Sequence, residues 1–419
     1  MKNDIEREHI CYKLLLEVYS EGGYSNIVLG KGLNSVEEKD KPYITRLFYG
    51  VLENNIQFDY VISKLTEKKP KTSVLVIIKI GLYLLRYSNA PQYASIDKTV
   101  ELCKKVGKSA LSGFVNAVLR KSEHINTQDI CQSDLRLSVN YNYPLWIVKK
   151  LINRYGYDFA NDLLKNSKIN LTHIRHNSLN IDRKDLETIL PWAKKTLTGF
   201  YTDSRYTAIR PSLYVVQSLA STIAVNLCAS LTSPKNVLDV CAAPGGKSVY
   251  LYELTKAKIT SADVHSHRVE LIKKYAEQVG ARLNAVQNDA TILKEDWMDK
   301  FDLVLCDVPC SGSGVIGSKP DIALGLKQED LPLLVKKQKN ILKNSALYVK
   351  KDGYLVYSTC SLLQEENEDV VNYFLSQNSQ FKLAQMSFAD GKYNGGIINL
   401  YPHIDGCDGF FVAAFKRVR

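Results

Sequence analysis

The sequence predicts a multidomain protein with an all-α N-terminal domain, a small α/β connecting subdomain and a C-terminal α/β domain built on a mostly parallel sheet. Three observations support this prediction. The chain has 419 residues, which is too long for one ordinary hydrophobic core. Apolar residues recur with helical spacing from about residue 6 to residue 125, and a strand–turn–helix alternation begins at residue 236. We place the three domains at residues 1–125, 126–205 and 206–419.

The N-terminal domain is predicted from the spacing of its apolar residues. Ile10, Leu14, Leu15 and Val18 recur every three or four positions, as on one face of a helix. Pro and Gly residues near positions 22, 70 and 91 separate this helix from later ones. The further helical stretches are expected at residues 42–64, 73–87 and 95–124.

The connecting subdomain has a mixed pattern. Residues 144–166 have helical spacing, whereas apolar and polar residues alternate over 171–181 and favour a strand there. We therefore expect a small α/β unit between the two larger domains.

The C-terminal domain is predicted from short apolar runs that alternate with turns and helical stretches. Helices are expected up to residue 256 and over 268–280. Such alternation is typical of a parallel sheet with helices on both faces. The strands are expected at residues 236–242, 258–264, 282–286, 301–306, 354–357 and 409–415.

Composition and charge restrict the function. The net charge of +11, with 55 Lys and Arg against 44 Asp and Glu, favours a polyanionic partner such as nucleic acid. Lysines at 68–71 and 104–108, with Arg120 and Lys121, are candidates for phosphate contacts, although such runs are equally often solvated helix faces.

The spacing of the cysteines and the hydropathy of the chain further restrict the class of protein. The nine cysteines show no Cys-x-x-Cys spacing, so we expect neither a metal site nor a disulfide framework. The N-terminus has no apolar signal segment, and the longest apolar run, residues 74–85, is interrupted by Lys79 and is too short to span a membrane. We therefore expect a cytoplasmic protein without membrane association.

A small-residue turn follows the first predicted strand of the C-terminal domain and opens a helix. Its residues let the backbone approach a ligand closely, and the helix N-terminus offers free amide donors. The turn does not match a phosphate-binding Walker loop, because Cys241 occupies the position of the first glycine. A tight strand–helix turn without a ligand is the alternative. The candidate ligand-binding residues are Cys241, Ala242, Ala243, Pro244, Gly245, Gly246 and Lys247.

Two aspartates follow the next two predicted strands. Asp263 lies where nucleotide-binding folds of this type place a carboxylate on ribose hydroxyls, and Asp289 lies where a carboxylate can accept a hydrogen bond from an adenine amino group. The alternatives are a solvated acid at Asp263 and a local turn at Asp289.

Two cysteines follow strand-like runs: Cys310 in Asp-Val-Pro-Cys-Ser-Gly and Cys360 in Tyr-Ser-Thr-Cys-Ser. Because the ends of such strands meet at one edge of the sheet, two thiols are predicted to face one substrate. That pair suits covalent addition to carbon 6 of cytosine, which activates carbon 5 toward an electrophilic methyl group, followed by loss of the carbon 5 proton and elimination of the thiolate. The implied methyl donor is S-adenosylmethionine. For either cysteine alone, a small buried apolar side chain is the better interpretation. A positive charge at Lys247 would favour a nearby thiolate.

Segments 239–247, 307–314 and 358–361 resemble the cofactor loop, the Pro-Cys motif and the Thr-Cys motif of the RNA cytosine-5 methyltransferases of the Nol1/Nop2/Sun group. The helical N-terminal domain resembles the antitermination factor NusB. The resemblance covers nearly the whole chain. It implies a NusB-like RNA-binding domain at the N-terminus and a Rossmann-like class I methyltransferase domain at the C-terminus.

The same resemblance implies roles for individual residues. It makes Cys360 the nucleophile and Cys310 the group that assists proton removal and product release, a choice that the chemistry of the two motifs alone leaves open. It also implies that residues 241–247 wrap S-adenosylmethionine, with Asp263 at the ribose, Asp289 near the adenine and Asp307 near the methionine end or the target base.

The implied substrate is 16S rRNA, free or in a partly assembled small subunit, methylated on carbon 5 of one cytosine, number 967 in the standard RNA numbering. We expect a monomer. The alternatives are the same chemistry on another rRNA or tRNA cytosine, and a non-catalytic RNA-binding assembly factor.

Overall fold

The computed structural model describes residues 4–203 and 210–419 and divides the chain into two compact units. The first unit consists of residues 1–164 together with residues 319–326, and the second contains the rest. The described residues begin with ten α-helices in chain order. They are α1 (Asp4–Glu21), α2 (Ser25–Leu33), α3 (Lys41–Glu53), α4 (Asn55–Leu65), α5 (Thr72–Tyr87), α6 (Gln92–Lys105), α7 (Ser112–Lys121), α8 (Ser133–Tyr141), α9 (Leu145–Tyr155) and α10 (Tyr157–Lys165).

The first unit packs around α5, whose residues from Val74 to Leu82 are buried almost all round. Its boundary differs from the expected domain end at residue 125 because α8 packs against the helices before it. The Asn142 side chain donates to the Leu52 carbonyl (3.1 Å) and accepts from the Ile56 N–H (2.9 Å). The predicted helical stretches at 42–64 and 95–124 each form two helices.

The second unit contains two sheets and a β-hairpin. Its elements in chain order are β1 (Thr172–His176), α11 (Arg183–Ile189), β2 (Lys194–Lys195), β3 (Phe200–Thr202), β4 (Tyr214–Val216), α12 (Leu219–Ala229), β5 (Asn236–Asp239), α13 (Gly246–Thr255), β6 (Lys258–Asp263), α14 (Ser266–Val279), β7 (Leu283–Gln287), β8 (Phe301–Asp307), α15 (Ile322–Gly325, counted with the first unit), α16 (Leu331–Tyr348), β9 (Val349–Thr359), α17 (Glu368–Gln377), β10 (Phe381–Leu383), β11 (Met386–Phe388), β12 (Tyr393–Gly395), β13 (Ile397–Leu400), α18 (Pro402–Asp405) and β14 (Phe410–Arg417).

The large sheet has the strand order β10-β14-β9-β8-β5-β6-β7, and β13 also pairs with β14. Strands β5 to β9 run parallel, whereas β10, β13 and β14 are antiparallel to their partners. The prediction of a mostly parallel sheet is therefore confirmed. The small sheet is antiparallel, with the order β2-β3-β1-β4, and forms part of the segment expected to connect the domains.

Alternate residues of the central strands pack on opposite faces of the large sheet. Leu303 and Leu305 of β8 belong to the apolar core that includes residues of α12 and α13. Val304 and Cys306 belong to the core that includes residues of α16 and α17. Burial on both faces explains why these strands are nearly continuous apolar runs. It also leaves the ends of the strands as the places where polar side chains gather.

Candidate active site

Two parallel strands bring the two predicted cysteines together. Strands β8 and β9 are neighbours, and Asp307 near the end of one is in register with Ser358 near the end of the other. The loops that follow therefore start side by side. The Sγ atoms of Cys310 and Cys360 lie 3.3 Å apart, and both side chains are partly exposed.

Backbone contacts hold the two cysteine loops in place. The Gly314 N–H donates to the Cys360 carbonyl, and the Gly409 N–H donates to the Gly314 carbonyl, each at 2.9 Å. A Cβ atom on Gly314 would lie 2.3 Å from the Gly409 carbonyl oxygen. Glycine is thus required where the Cys310 loop passes between the Cys360 loop and the start of β14.

The two thiols have different electrostatic surroundings. The pKa of Cys310 is raised well above its ordinary value, first by its hydrogen bond with Cys360, then by burial and by the negative charges of Cys360 and Glu366. Cys310 is therefore a weaker acid than an ordinary cysteine.

Lys247 lies on the first turn of α13, and its Nζ atom is 2.7 Å from Oδ2 of Asp307. Burial lowers the pKa of Lys247, but the ion pair with Asp307 and the charges of Cys360 and Asp239 outweigh burial, so the net pKa is raised. The ammonium group also lies 5.2 Å from the centre of the Phe410 ring. The structure thus brings Lys247, Asp307 and Cys360 into one electrostatic cluster.

The turn at residues 241–247 connects β5 to α13, as predicted. Gly245 caps the helix with φ +109°, a conformation that favours glycine. The Gly245 N–H donates to the Ala242 carbonyl (2.7 Å), and the Ala242 N–H donates to the Ala262 carbonyl of β6 (2.8 Å). The turn is therefore fixed to the next strand of the sheet.

Burial raises the pKa of two groups at this turn, the Asp239 carboxyl at the end of β5 and the Cys241 thiol. Burial raises the pKa of Asp239 to about 7, although its hydrogen bond from Ser248 Oγ (2.7 Å) opposes the shift. The pKa of Cys241 is raised well above its ordinary value, mainly by burial. Cys241 therefore has the character of a neutral thiol and not of a second nucleophile.

Asp263 and Asp289 lie at the carboxyl ends of β6 and β7. Asp263 is buried, and its Oδ1 accepts from the His265 N–H (3.0 Å). Oδ1 of Asp289 accepts from the N–H (2.9 Å) and the hydroxyl (2.7 Å) of Thr291, and these bonds lower the Asp289 pKa. Asp289 thus makes the local turn that was the alternative interpretation. It remains an ionised group at the same edge of the sheet as Asp263.

The residues at this edge fit S-adenosylmethionine. In the order β8-β5-β6-β7, the strand ends present Asp307, the glycine turn, Asp263 and Asp289 in one row. Such a row matches a ligand with a charged methionine end, a ribose and an adenine. Beside Asp289, the buried Nδ2 atom of Asn288 has no hydrogen-bond partner within the described part of the chain, as a donor awaiting a ligand would.

Sequence reasoning missed two groups that support this site. Glu366 is completely buried and accepts hydrogen bonds from residues of both cysteine loops. Arg175 of β1 and Glu253 of α13 form a buried ion pair of 2.7 Å. Glu366 lies only six residues after Cys360, and this short distance in the sequence could have indicated that it supports the site. No local sequence pattern indicates that Arg175 and Glu253 form a pair.

The described residues contain no cluster of three or more His, Cys, Asp or Glu side chains able to hold a metal ion. None of the helices within residues 4–203 and 210–419 is long and apolar enough to cross a membrane.

The fold is that of an α/β methyltransferase of the Rossmann-like class. Residues 228–416 match the family model described as 16S rRNA methyltransferase RsmB/F, and residues 7–124 match the NusB family model. The probable ribosomal RNA small subunit methyltransferase B of Bacillus subtilis is 31% identical to this chain over 97% of this chain and 98% of its own length. Ribosomal RNA small subunit methyltransferase B of Photorhabdus laumondii is 29% identical over the full length of both chains. The chain belongs to the ribosomal RNA small subunit methyltransferase B family, whose methyl donor is S-adenosylmethionine.

Solved structures agree with the fold. The crystal structure of PH0851 superposes with a TM-score of 0.80 at 21% identity and covers 97% of this chain and 98% of that one. NSun6 from Pyrococcus horikoshii, solved with SFG, superposes with a TM-score of 0.58 at 19% identity over 66% of this chain and 99% of its own.

Proposed function

We propose that this protein methylates carbon 5 of one cytosine in 16S rRNA, cytosine 967 in the standard RNA numbering, through a covalent adduct with Cys360. The observation that carries the proposal is the 3.3 Å separation of the Cys360 and Cys310 sulfur atoms at the end of β8 and β9. Two thiols at that distance can act on one pyrimidine ring. Family membership supports an rRNA substrate, because the B. subtilis and P. laumondii relatives are named as small-subunit rRNA methyltransferases.

In the proposed reaction the Cys360 thiolate adds to carbon 6 of a cytosine turned out of its stack, which makes carbon 5 nucleophilic. When bound, S-adenosylmethionine would supply the electrophilic methyl group that carbon 5 accepts. Lys247 favours the thiolate because its positive charge interacts with the charge of Cys360. After transfer, the carbon 5 proton is removed and the Cys360 thiolate leaves, which restores the ring.

Cys310 is proposed to assist that last step. In this step Cys310 first loses its own proton to water, and its thiolate then takes the carbon 5 proton and becomes the thiol again. Because its pKa is raised, this thiolate is a stronger base than an ordinary cysteine thiolate. The assignment of residues 241–247, Asp263 and Asp289 to S-adenosylmethionine is part of the same proposal, with Asp307 at the methionine end or the target base. These assignments are supported by the position of all these residues at one edge of the sheet.

We further propose that residues 1–125 form an RNA-binding domain, 126–205 a connecting subdomain and 206–419 the methyltransferase domain. The match of residues 7–124 to NusB supports the first boundary. The proposed substrate is 16S rRNA before the small subunit is complete, and the enzyme is proposed to act as a cytoplasmic monomer.

The test is a denaturing gel of each cysteine variant incubated with 16S rRNA and S-adenosylmethionine, with bisulfite sequencing of the RNA. We expect Cys360→Ala to abolish methylation of the target cytosine. Cys310→Ala should accumulate a protein–RNA adduct, because product release fails. Cys131→Ala, a change at an exposed cysteine outside the site, is the control and should methylate normally. An active Cys360→Ala enzyme, or an adduct formed only by that variant, would refute the mechanism. Methylation of a different cytosine would refute the substrate assignment alone.

A further inference from the structure

Glu366 is a buried carboxylate in the segment that follows the Cys360 loop. Its exposed fraction is 0%. Four donors reach its two oxygens. Oε1 accepts from the Ser311 N–H and the Gln338 side-chain amide, each at 2.8 Å. Oε2 accepts from the hydroxyl groups of Ser311 and Ser361, each at 2.5 Å. A buried carboxylate with so many donors is held in one position.

The donors belong to both cysteine loops. Ser311 directly follows Cys310, and Ser361 directly follows Cys360. Gln338 of α16 also donates to the carbonyl of Pro309, the residue before Cys310 (3.0 Å). The Glu366 carboxylate thus accepts hydrogen bonds from the two residues that directly follow Cys310 and Cys360 in the sequence.

The backbone of Glu366 is fixed as well. Its carbonyl accepts from the Tyr357 hydroxyl of β9 at 2.6 Å. The Tyr357 side chain is completely buried in the core on the α16 and α17 face of the sheet. The carboxylate therefore has a rigid support on the same strand that leads to Cys360.

We propose that Glu366 is a positioning residue that holds Cys310 and Cys360 in reacting geometry and places a negative charge on the Cys310 side of the pair. This inference rests on the proposed function and extends it to a residue that does not touch the substrate. Burying a carboxylate is expensive unless it is completely bonded, and a neutral side chain would suffice for packing alone. The charge therefore calls for a role beyond filling space.

The charges around the pair are arranged asymmetrically. Glu366 contributes to the raised pKa of Cys310, after the hydrogen bond with Cys360, burial and the charge of Cys360. On the other side, Lys247 interacts with the charge of Cys360 and with Asp307. An anion near Cys310 and a cation near Cys360 together favour the state in which Cys360 is the thiolate and Cys310 the thiol.

The first test compares Glu366→Gln and Glu366→Asp with the unmodified enzyme. We expect Glu366→Gln to lower kcat by about 100-fold, as small misplacements of reacting groups do, with the Kd for S-adenosylmethionine nearly unchanged. Glu366→Asp should recover part of the rate because it keeps the charge. The control is Asp302→Asn at the opposite end of β8, where a carboxylate accepts from the N–H groups of Lys235 (2.9 Å) and Asn236 (2.7 Å). It should lower Tm and leave kcat unchanged.

The second test does not depend on activity. The pH dependence of Cys310 alkylation by iodoacetamide is followed by peptide mass spectrometry in the full-length Cys360→Ala protein, with and without Glu366→Gln. Loss of the charge should shift the alkylation midpoint of Cys310 toward lower pH by roughly one unit. A role in folding alone would leave this midpoint unchanged.

The outcomes separate the two claims. An unchanged kcat in Glu366→Gln, or an unchanged alkylation midpoint, overturns the inference about Glu366. If instead the unmodified enzyme fails to methylate 16S rRNA, the proposed function is overturned, while the alkylation midpoints still decide whether Glu366 controls the protonation of Cys310.

Discussion

The Nζ atom of Lys247 lies 2.7 Å from Oδ2 of Asp307 and connects the turn at residues 241–247 to the loop that carries Cys310. Asp307 is fixed from the other side, because its Oδ1 accepts from the Ser358 hydroxyl at 2.9 Å. Ser358 lies two residues before Cys360. The ion pair and the Ser358–Asp307 hydrogen bond together connect the three segments that resemble known methyltransferase motifs.

The first prediction concerns the charge of Lys247. Lys247→Met should lower kcat by about 100-fold, because a preorganised charge beside a reacting thiolate is lost. Rates of methyl transfer to 16S rRNA measure the effect. Lys256→Met, at the opposite end of α13 and exposed, is the matched control and should react at the normal rate. Equal rates for the two variants would contradict a role for the Lys247 charge.

The second prediction concerns Gly245. Gly245→Ala places a side chain on a residue with φ +109° and a Cβ atom 3.4 Å from Ile272, so the turn must shift at a cost of about 1–2 kcal/mol. We expect weaker binding of S-adenosylmethionine in calorimetric titration. Gly280→Ala has a similar backbone conformation (φ +85°), but nothing lies within 4 Å of its Cβ. It should lower Tm and leave cofactor affinity unchanged. Weakened binding in both variants would indicate general destabilisation.

Local sequence patterns predicted the central part of the sheet and its motifs. The runs at 258–264 and 301–306 correspond to β6 and β8 within one residue, because strands buried on both faces leave a continuous apolar signal. The same signal predicted that Cys310 and Cys360 lie at strand ends on one edge of the sheet. Their 3.3 Å separation depends on register and loop contacts, which only the structure gives.

Other features depend on contacts between distant residues. The predicted helix 42–64 is interrupted at Asn54, whose side chain donates to the Gly50 carbonyl at 2.7 Å and competes with the helix backbone. The short strands β10 to β13 are three or four residues long, too short for a periodic signal. Residues 319–326 join the first compact unit through contacts such as that of Asp321 with the Ser25 N–H (3.2 Å).

The third prediction is a pH dependence of stability that comes from Asp239. Its pKa rises from an ordinary value of 3.8 to about 7 in the folded protein, because burial disfavours the charged form. The folded state therefore binds the proton more tightly than the unfolded state between these values. Its contribution to stability is complete below pH 3.8 and is lost as the pH rises through about 7. The full effect is up to about 4 kcal/mol.

The measurement compares urea unfolding of the unmodified protein and Asp239→Asn across this pH range. Asparagine does not titrate, so the stability difference between the two proteins should change steadily between pH 4 and pH 7, with the unmodified protein losing stability relative to the variant. A difference that is independent of pH would show that Asp239 is ionised throughout. Cofactor-free protein is used, because a bound cation would alter the titration.

The fourth prediction concerns the buried ion pair formed by α13, the helix that follows the turn at residues 241–247. Arg175 Nη1 lies 2.7 Å from Glu253 Oε2, and both side chains are completely buried. The guanidinium also receives support from the Tyr250 ring, whose centre is 4.2 Å away, and from Gln217 Oε1, which accepts from Arg175 Nε at 2.8 Å. This pair therefore joins β1 of the small sheet to α13, the helix that begins at Gly246.

Removing one charge of this pair is expected to lower the free energy of unfolding more than replacing both residues with apolar ones. Glu253→Gln leaves the Arg175 charge buried without a counter-charge, so the free energy of unfolding should fall by about 3–5 kcal/mol. The double variant Arg175→Met with Glu253→Leu removes both charges and should be more stable than Glu253→Gln, because apolar groups of similar volume avoid the desolvation penalty. Glu270→Gln breaks the exposed pair with Lys273 on α14 and should have no measurable effect. Urea unfolding of the four proteins tests the order. If the double variant has the lowest free energy of unfolding, the expected order is wrong. The attraction between the two charges would then exceed the cost of burying them, and α13 would need the ion pair itself.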